Sequence, residues 1–386
     1  MDFSPSPEQE EIRQAIAKLC ARFDAEYWRE RDRGSEKGGG FPADFHQALA
    51  RDGWLGVAMP QAYGGAGLGI TEAALMMQTI AESGAGFSGA SAVHMNIFGL
   101  NPVVLFGTEA QKTRMLPPLI AGRERACFAV TEPNTGLNTR KLKTKAEKRD
   151  GKYIVSGQKV WISTAQVAEK VLLLARAERG LTLFYTDFDR RHIEVREIEK
   201  MGRHAVDSNQ VFFDALPVPE EDRIGEEGKG FEYILHGMNP ERILIGAELV
   251  GLGRCALARA AKYAKERVVF DRPIGQNQGI QHPLAERWIE LEAAELLVHR
   301  AAASYDNGEE AGQVGAFANA AKYFAAEAGH RACESAVLTH GGMGYAREFQ
   351  VERFFREIQI ARIAPVSPQL ILSHIAERVL GLPKSY

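Results

Sequence analysis

The sequence predicts a mostly α protein of the α+β class, ordered as a helical domain, an antiparallel β domain and a helical bundle. Three observations predict it. Apolar residues recur at three- and four-residue spacing through the first part. Near Ala126 the pattern changes to short β-branched and aromatic runs split by turn residues. After "GEEGKGF" the helical period returns. These shifts divide the 386 residues at 1–123, 124–228 and 229–386, each of ordinary domain size.

In the first part, Ile12, Ile16, Leu19 and Phe23 follow a Ser/Pro start and predict a helix. "GGGFPADFHQALARDGWLG" predicts a short helix after a glycine break, and "MPQAYGGAGLG" a glycine-rich turn that lacks the Lys-Ser/Thr ending of a P-loop. Small-residue helical stretches are expected over 70–106 and 110–120. The β part contains "ACFAVTEP", "KYIVSGQKVWIST", "KVLLLARA", "LTLFYTDF", "HIEVREI" and "NQVFFDALPV", with turns at Asp150-Gly151 and Arg179-Gly180. The gaps leave no room for crossover helices, which excludes a Rossmann sheet. In the third part Asn239 is expected to cap, and Pro240 to open, a long helix carrying Leu244, Ala247, Val250 and Leu257. Further helices are expected over 284–305, 314–339, 351–363 and 369–380.

Composition narrows the function. A net charge of −3 gives no bulk attraction to nucleic acid or anionic membranes. No apolar run is expected to reach the roughly 18–20 residues of a membrane span. The start "MDFSPSPEQEEIRQ" has acidic residues and no apolar core, unlike a secretory or transit leader. Cys20, Cys127, Cys255 and Cys333 are widely separated, and no Cys/His spacing points to a metal site. A reducing, cytoplasmic setting fits these thiols.

"CFAVTEPNTG", "VSGQKVWIST", "KMGRHAVDSNQVFFDALPVPEEDRIGEEGKGF", "ERVVFDRPIGQNQGIQ" and "HGGMGYAREFQVERFFRE" stand in an order and spacing that resemble the acyl-CoA dehydrogenase family over essentially the whole chain. The resemblance implies that family's fold: a helical domain, a barrel-like antiparallel β domain and a four-helix bundle. It also implies FAD, a homotetramer, a place in fatty-acid β-oxidation and α,β-desaturation of an acyl-CoA thioester, with electrons passing to an electron-transfer flavoprotein. Such a reaction needs a base for the α-proton, a hydride acceptor, and donors at the thioester oxygen, where negative charge develops.

The resemblance assigns Phe128, Val130, Thr131, Trp161 and Ser163 to the wall of the flavin ring; read alone, Trp161 fits a packed domain interface equally. Arg267, Phe270 and Gln278 match positions that reach the cofactor of a neighbouring subunit. Arg suits pyrophosphate, although Arg267 also fits a helix C-terminus. Gly341 and Gly342 permit close approach of backbone to phosphate or ribose, and equally suit a helix cap. Leu338 stands where the family often has Gln, and Leu137 and Asn138 where it often has Ser-Asp, beside the substrate cleft.

The loop "IAPVSPQ" resembles a family segment that carries a catalytic Glu. Here Pro365 takes that place, while Ser367 and Gln369 keep the positions expected to touch FAD. Proline cannot accept a proton. Isovaleryl-CoA and long-chain acyl-CoA dehydrogenases carry the base on the long helix after the β domain. "MNPERILIG" matches that pattern, with Glu241 as the base and Arg242 beside it at the substrate. A Glu in a helix's first turn also simply complements the dipole. The dipole and Arg242 should lower its pKa, so desolvation must raise it if it is to serve as a base. Two other readings stay open: an acyl-CoA oxidase, and a non-catalytic or half-site subunit of a hetero-oligomer.

Overall fold

A computed structural model of the chain describes residues 4–34 and 39–385. The first residues of the charged start and part of the glycine break before Phe41 lie outside them. Seven helices precede the sheet: α1 Pro7–Cys20, α2 Ala25–Arg31, α3 Ala43–Arg51, α4 Ile70–Ile80, α5 Gly86–Phe98, α6 Asn101–Phe106 and α7 Glu109–Ile120. Ser6 starts α1 with a reciprocal capping box to Gln9, and Ile12, Ile16 and Leu19 are buried as the spacing predicts.

The helix expected over 70–106 is three helices. A wide turn, Ala81–Ala85, breaks it with Gly84 at φ 102°, and Gly86 follows at φ 66°. A Cβ on Gly86 would stand 2.7 Å from a Glu357 carboxylate oxygen, so glycine is required there on two counts. That carboxylate accepts from the backbone N–H groups of Phe87 (2.8 Å) and Ser88 (3.2 Å), filling the N-terminus of α5. Taken together, 70–106 is long and apolar enough to cross a membrane, contrary to the sequence expectation. Most of it is buried in the helical core instead.

The middle part is an eight-stranded sheet: β1 Ala126–Ala129, β2 Lys145–Arg149, β3 Lys152–Ser163, β4 Lys170–Ala177, β5 Gly180–Asp187, β6 Ile193–Glu197, β7 Ser208–Pro219 and β8 Arg223–Ile224. The order is β6-β7-β3-β2-β4-β5-β8, with β1 beside β4. The expected purely antiparallel unit is in fact mixed, because β1 runs parallel to β4. Strand β4 is covered on both faces. Val171 and Leu173 enter one apolar core, and Leu172 and Leu174 enter another that includes Leu116 of α7. This explains its unbroken run "VLLL".

Helices return as α8 Gly230–Leu235, α9 Met238–Glu266, α10 Gln278–Asp306, α11 Ala311–His340, α12 Val351–Ile358 and α13 Pro368–Arg378. A tight hairpin, β9 Val268–Val269 and β10 Arg272–Pro273, joins α9 to α10. α10 runs antiparallel to α9: Cβ atoms on Gly246 and Gly253 would meet Val298 and Leu291 respectively. α11 runs parallel to it, since Arg242 bonds Asn319 at one end and the rings of Tyr263 and His340 stack 4.3 Å apart at the other. Gly251 lets α4 approach so closely that a Cβ there would lie 2.2 Å from the Gln78 carbonyl oxygen. The expected Asn239 cap is corrected: α9 starts earlier, after Gly237, and Asn239 lies in its first turn.

Candidate active site

α5 packs against both α9 and β1, α11 packs against α9, and the proline loop is held to α11. On the sheet side, a bulge in β3 between Lys159 and Ile162 leaves Trp161 at φ 61° and 57% exposed. The Val160 N–H donates to the Thr131 carbonyl (2.9 Å), which joins the two wall segments. Buried Lys159 donates to the carbonyls of Val130 (3.0 Å) and Leu174 (2.7 Å) and pairs with Glu132 at 3.1 Å. Burial lowers its pKa to about 8. Phe128 packs toward Phe98 of α5, with ring centres 6.3 Å apart. Ser163, at the end of β3, accepts from Arg203 Nη2 at 3.1 Å.

α5 is buried from end to end except for one stripe, Ser91, His94 and Met95. The stripe is bonded to both neighbours. Arg203 Nη1 donates to Ser91 (3.3 Å), and His94 Nδ1 meets a carboxylate oxygen of buried Glu248 on α9 at 2.6 Å. The His94 pKa is raised: burial opposes its charge, but Glu248 outweighs burial.

Glu241 lies two turns before Glu248 on the same face of α9. It is half-buried, and among the described residues no side chain donates a hydrogen bond to it. Burial raises its pKa above the usual carboxylate range, against the pull of His94, Arg242 and Lys322. Desolvation therefore wins over the neighbouring cations. Arg242 is turned to the scaffold: Nε donates to the Met238 carbonyl (2.9 Å), Nη1 to Asn319 (2.7 Å) and Nη2 to Asn239 (2.6 Å). Its side chain fixes the first turn of α9 rather than reaching freely for a substrate.

Lys322 of α11, buried, acts on this carboxylate through its charge and bonds the proline loop. It donates to the carbonyls of Ala361 (2.6 Å) and Val366 (2.9 Å), on either side of Pro365. Its pKa falls to about 8 through burial, with Glu241 acting the other way. Lys322→Met removes one of the cations that hold the Glu241 pKa down. The Glu241 carboxyl is then expected to titrate at higher pH than in wild type, read by infrared titration of its carboxyl band. Ser367 caps α13 by accepting from the Leu370 N–H (3.3 Å), and Gln369 and Leu137 are exposed.

The remaining expected cofactor residues lie far from Glu241. Arg267 ends α9, 26 residues beyond Glu241 on the same helix and about 39 Å away at the usual rise. Phe270, at φ 51° in the hairpin turn, is 92% exposed. Gln278, Gly341 and Gly342 are exposed, and so is Leu338. Gly341 and Gly342 follow the last turn of α11, at the same end of the bundle as Arg267 because α9 and α11 run parallel. Sequence reasoning missed His94, Glu248, Arg203 and Lys322. His94, Glu248 and Lys322 are charged or polar residues inside apolar runs, which was their one signal, whereas Arg203 in "KMGRHAVDSN" gave none. Among the described residues no group of three His, Cys, Asp or Glu side chains could hold a metal ion, and all four cysteines are buried and free.

The helical–sheet–helical order and the half-buried carboxylate on α9 call for comparison with known proteins of this architecture. Models of the acyl-CoA dehydrogenase N-terminal, middle and C-terminal domains match residues 6–123, 127–216 and 228–380. The chain is 37% identical to acyl-CoA dehydrogenase FadE12 of Mycobacterium tuberculosis, covering 100% of this chain and 99% of that protein. It is 31% identical to caffeyl-CoA reductase-Etf complex subunit CarC of Acetobacterium woodii, over 85% and 87% of the two chains. The structure of butyryl-CoA dehydrogenase from Megasphaera elsdenii superposes with a TM-score of 0.92 at 29% identity, covering 98% and 100%. The chain belongs to the acyl-CoA dehydrogenase family and is an oxidoreductase.

Proposed function

We propose that the protein desaturates a saturated acyl-CoA between Cα and Cβ, with Glu241 as the base that removes the α-proton. The observation that carries this is Glu241 itself. It is a half-buried carboxylate of raised pKa to which no side chain donates among the described residues, while the loop held by Lys322 has proline where a proton acceptor would stand. A pKa raised toward working pH strengthens a general base, and free lone pairs leave it ready to take a proton. These features support reading the chain as the helix-borne Glu type of the family.

FAD, when bound, supplies the hydride acceptor. Residues present here fit it: an exposed Trp161 on the sheet edge, with half-buried Phe128, Thr131 and Ser163 beside it and buried Val130 behind, leaves a wall suited to a flat ring. Arg267, Phe270, Gln278, Gly341 and Gly342 are too far from their own chain's Glu241 and are exposed. We read them as completing the cofactor site of a second copy, in a homotetramer. A recess of about 110 Å³ with a mixed lining, Ile97, Phe98, Val104 and Pro240 beside Asn101 and Asp306, adjoins the turn of Glu241. Electron-transfer flavoprotein is the proposed acceptor, supported by the Etf complex named for the CarC relative.

The test is anaerobic addition of saturated acyl-CoAs of four to sixteen carbons to the FAD-loaded protein. Rapid loss of flavin absorbance is expected with at least one of them. Reoxidation in air should be slow and should speed up with electron-transfer flavoprotein. Fast reoxidation by oxygen alone would assign an oxidase, and no bleaching with any thioester would overturn the proposal.

A further inference from the structure

Arg203 is a partly buried guanidinium with no carboxylate to pair with. Its Nη1 and Nη2 donate to the hydroxyls of Ser91 (3.3 Å) and Ser163 (3.1 Å), and its Cζ lies 5.9 Å from the centre of the Phe87 ring. Among the described residues it makes no ion pair, although most other arginines packed into this fold do: Arg353 has Glu357, and Arg356 has Asp32 and Glu352. The carboxylates that influence it, Glu248, Glu357 and Asp207, act from beyond contact. Glu357 is committed to the N-terminus of α5 and to Arg353, Glu248 to His94, and Asp207 to Gln166 and Asn209. Two neutral hydroxyls do not neutralise a buried cation, and such a charge is retained at a cost unless an anion meets it. The residue also holds a left-handed backbone, φ 60°, unusual outside glycine, so its placement is specified rather than incidental.

Both serines are half-buried. Ser163 belongs to the wall assigned to the flavin, and Ser91 to the one open stripe of α5. A hydride carries two electrons and one proton, so a neutral ring that accepts one gains a negative charge. We propose that Arg203 is a cofactor-tuning residue whose guanidinium, anchored on Ser91 and Ser163, sets a fixed positive charge against the flavin ring and favours its negatively charged reduced form. This rests on the flavin reading above and goes beyond it. It names the counter-charge for the reduced cofactor, a task that the wall residues, being uncharged, cannot perform.

Sulfite is the probe, because its addition to an oxidised flavin also leaves a negative charge on the ring, without substrate or turnover. FAD-loaded wild type, Arg203→Gln and Arg203→Lys are titrated with sulfite, and their midpoint potentials are measured by dye-coupled reduction. Arg203→Gln keeps a donor and loses the charge. It is expected to bind sulfite at least tenfold more weakly, with a more negative potential. Arg203→Lys keeps the charge and is expected to recover most of the affinity. Should the glutamine variant fail to fold, Arg203→Met, of similar volume and no charge, is read the same way. Uncharged variants that hold FAD and bind sulfite like wild type would overturn the inference. So would a lysine variant no better than the glutamine one, since the role would then be hydrogen bonding alone. A wild-type protein unable to hold FAD would instead overturn the flavoprotein reading, and this inference with it.

Discussion

Glu241→Gln is expected to keep its flavin absorbance and lose substrate-driven bleaching by at least about a hundredfold, the usual range for removing a general base. The substitution is nearly isosteric, and no side-chain hydrogen bond is broken, because the carboxylate receives none among the described residues. The same change carries a stability signature with a definite sign. Burial raises the folded-state pKa of Glu241 above its unfolded value. The fold therefore favours the protonated form, and the contribution of the carboxyl to stability is present at low pH and lost as pH rises through that raised pKa. A neutral amide is spared this loss. The glutamine variant should melt higher than wild type at pH 8, with the difference shrinking toward pH 4. In wild type, turnover should fall on the acid side at a pH above the usual carboxylate range. A variant that bleaches at the wild-type rate would remove Glu241 from the chemistry. One that loses bleaching but also loses flavin would point to a structural role.

What the sequence disclosed about this site, and what it hid, follows from how far apart the interacting groups lie along the chain. Periods of 3.6 and 2 are local, so the three-part layout and the burial of Ile12, Ile16 and Leu19 could be read from neighbours alone. Glu241 and Pro365 were legible because each sits inside a local motif. The polar contacts around the candidate site are not local. His94 meets Glu248 across 154 residues, and Arg203 meets Ser91 across 112. A single charge in "ASAVHMNIFG" or "ILIGAELVGLG" signals that a buried partner exists without saying which. The parallel pairing of β1 with β4 was hidden for the same reason, since strand patterns carry no direction. The pKa of Glu241 depended on burial against three cations from three helices, a balance that local sequence cannot weigh.

The break at residues 81–86 is the strongest case of long-range control, and it yields the largest expected stability effect. Three glycines weaken the helix in "AESGAGFSG", but small residues run on through it, and the local sequence does not say which glycine ends the helix. The end is imposed by α12, 270 residues away. Glu357 accepts from the Phe87 and Ser88 amides and the Ser88 hydroxyl (2.6 Å), while Arg353 donates to the carbonyls of Gly84 (2.6 Å) and Ala85 (3.3 Å) and to Glu357 itself (2.9 Å). Both side chains are almost fully buried. Glu357→Ala leaves a buried guanidinium unpaired and two amides without an acceptor, and is expected to cost about 3–5 kcal/mol in chemical denaturation. A comparison separates the ion pair from the backbone contacts. Replacing a buried pair by apolar residues of similar volume is often neutral. Here the double variant Arg353→Met/Glu357→Leu should still be destabilised, because the Phe87 and Ser88 amides and the Gly84 and Ala85 carbonyls lose their only side-chain partners among the described residues. Full recovery in the double variant would mean that the turn satisfies itself and the pair merely balances its own charges. Persistent loss, together with weaker FAD retention, would tie the anchoring of α5, and so the position of Ser91 and His94, to a carboxylate on a distant helix.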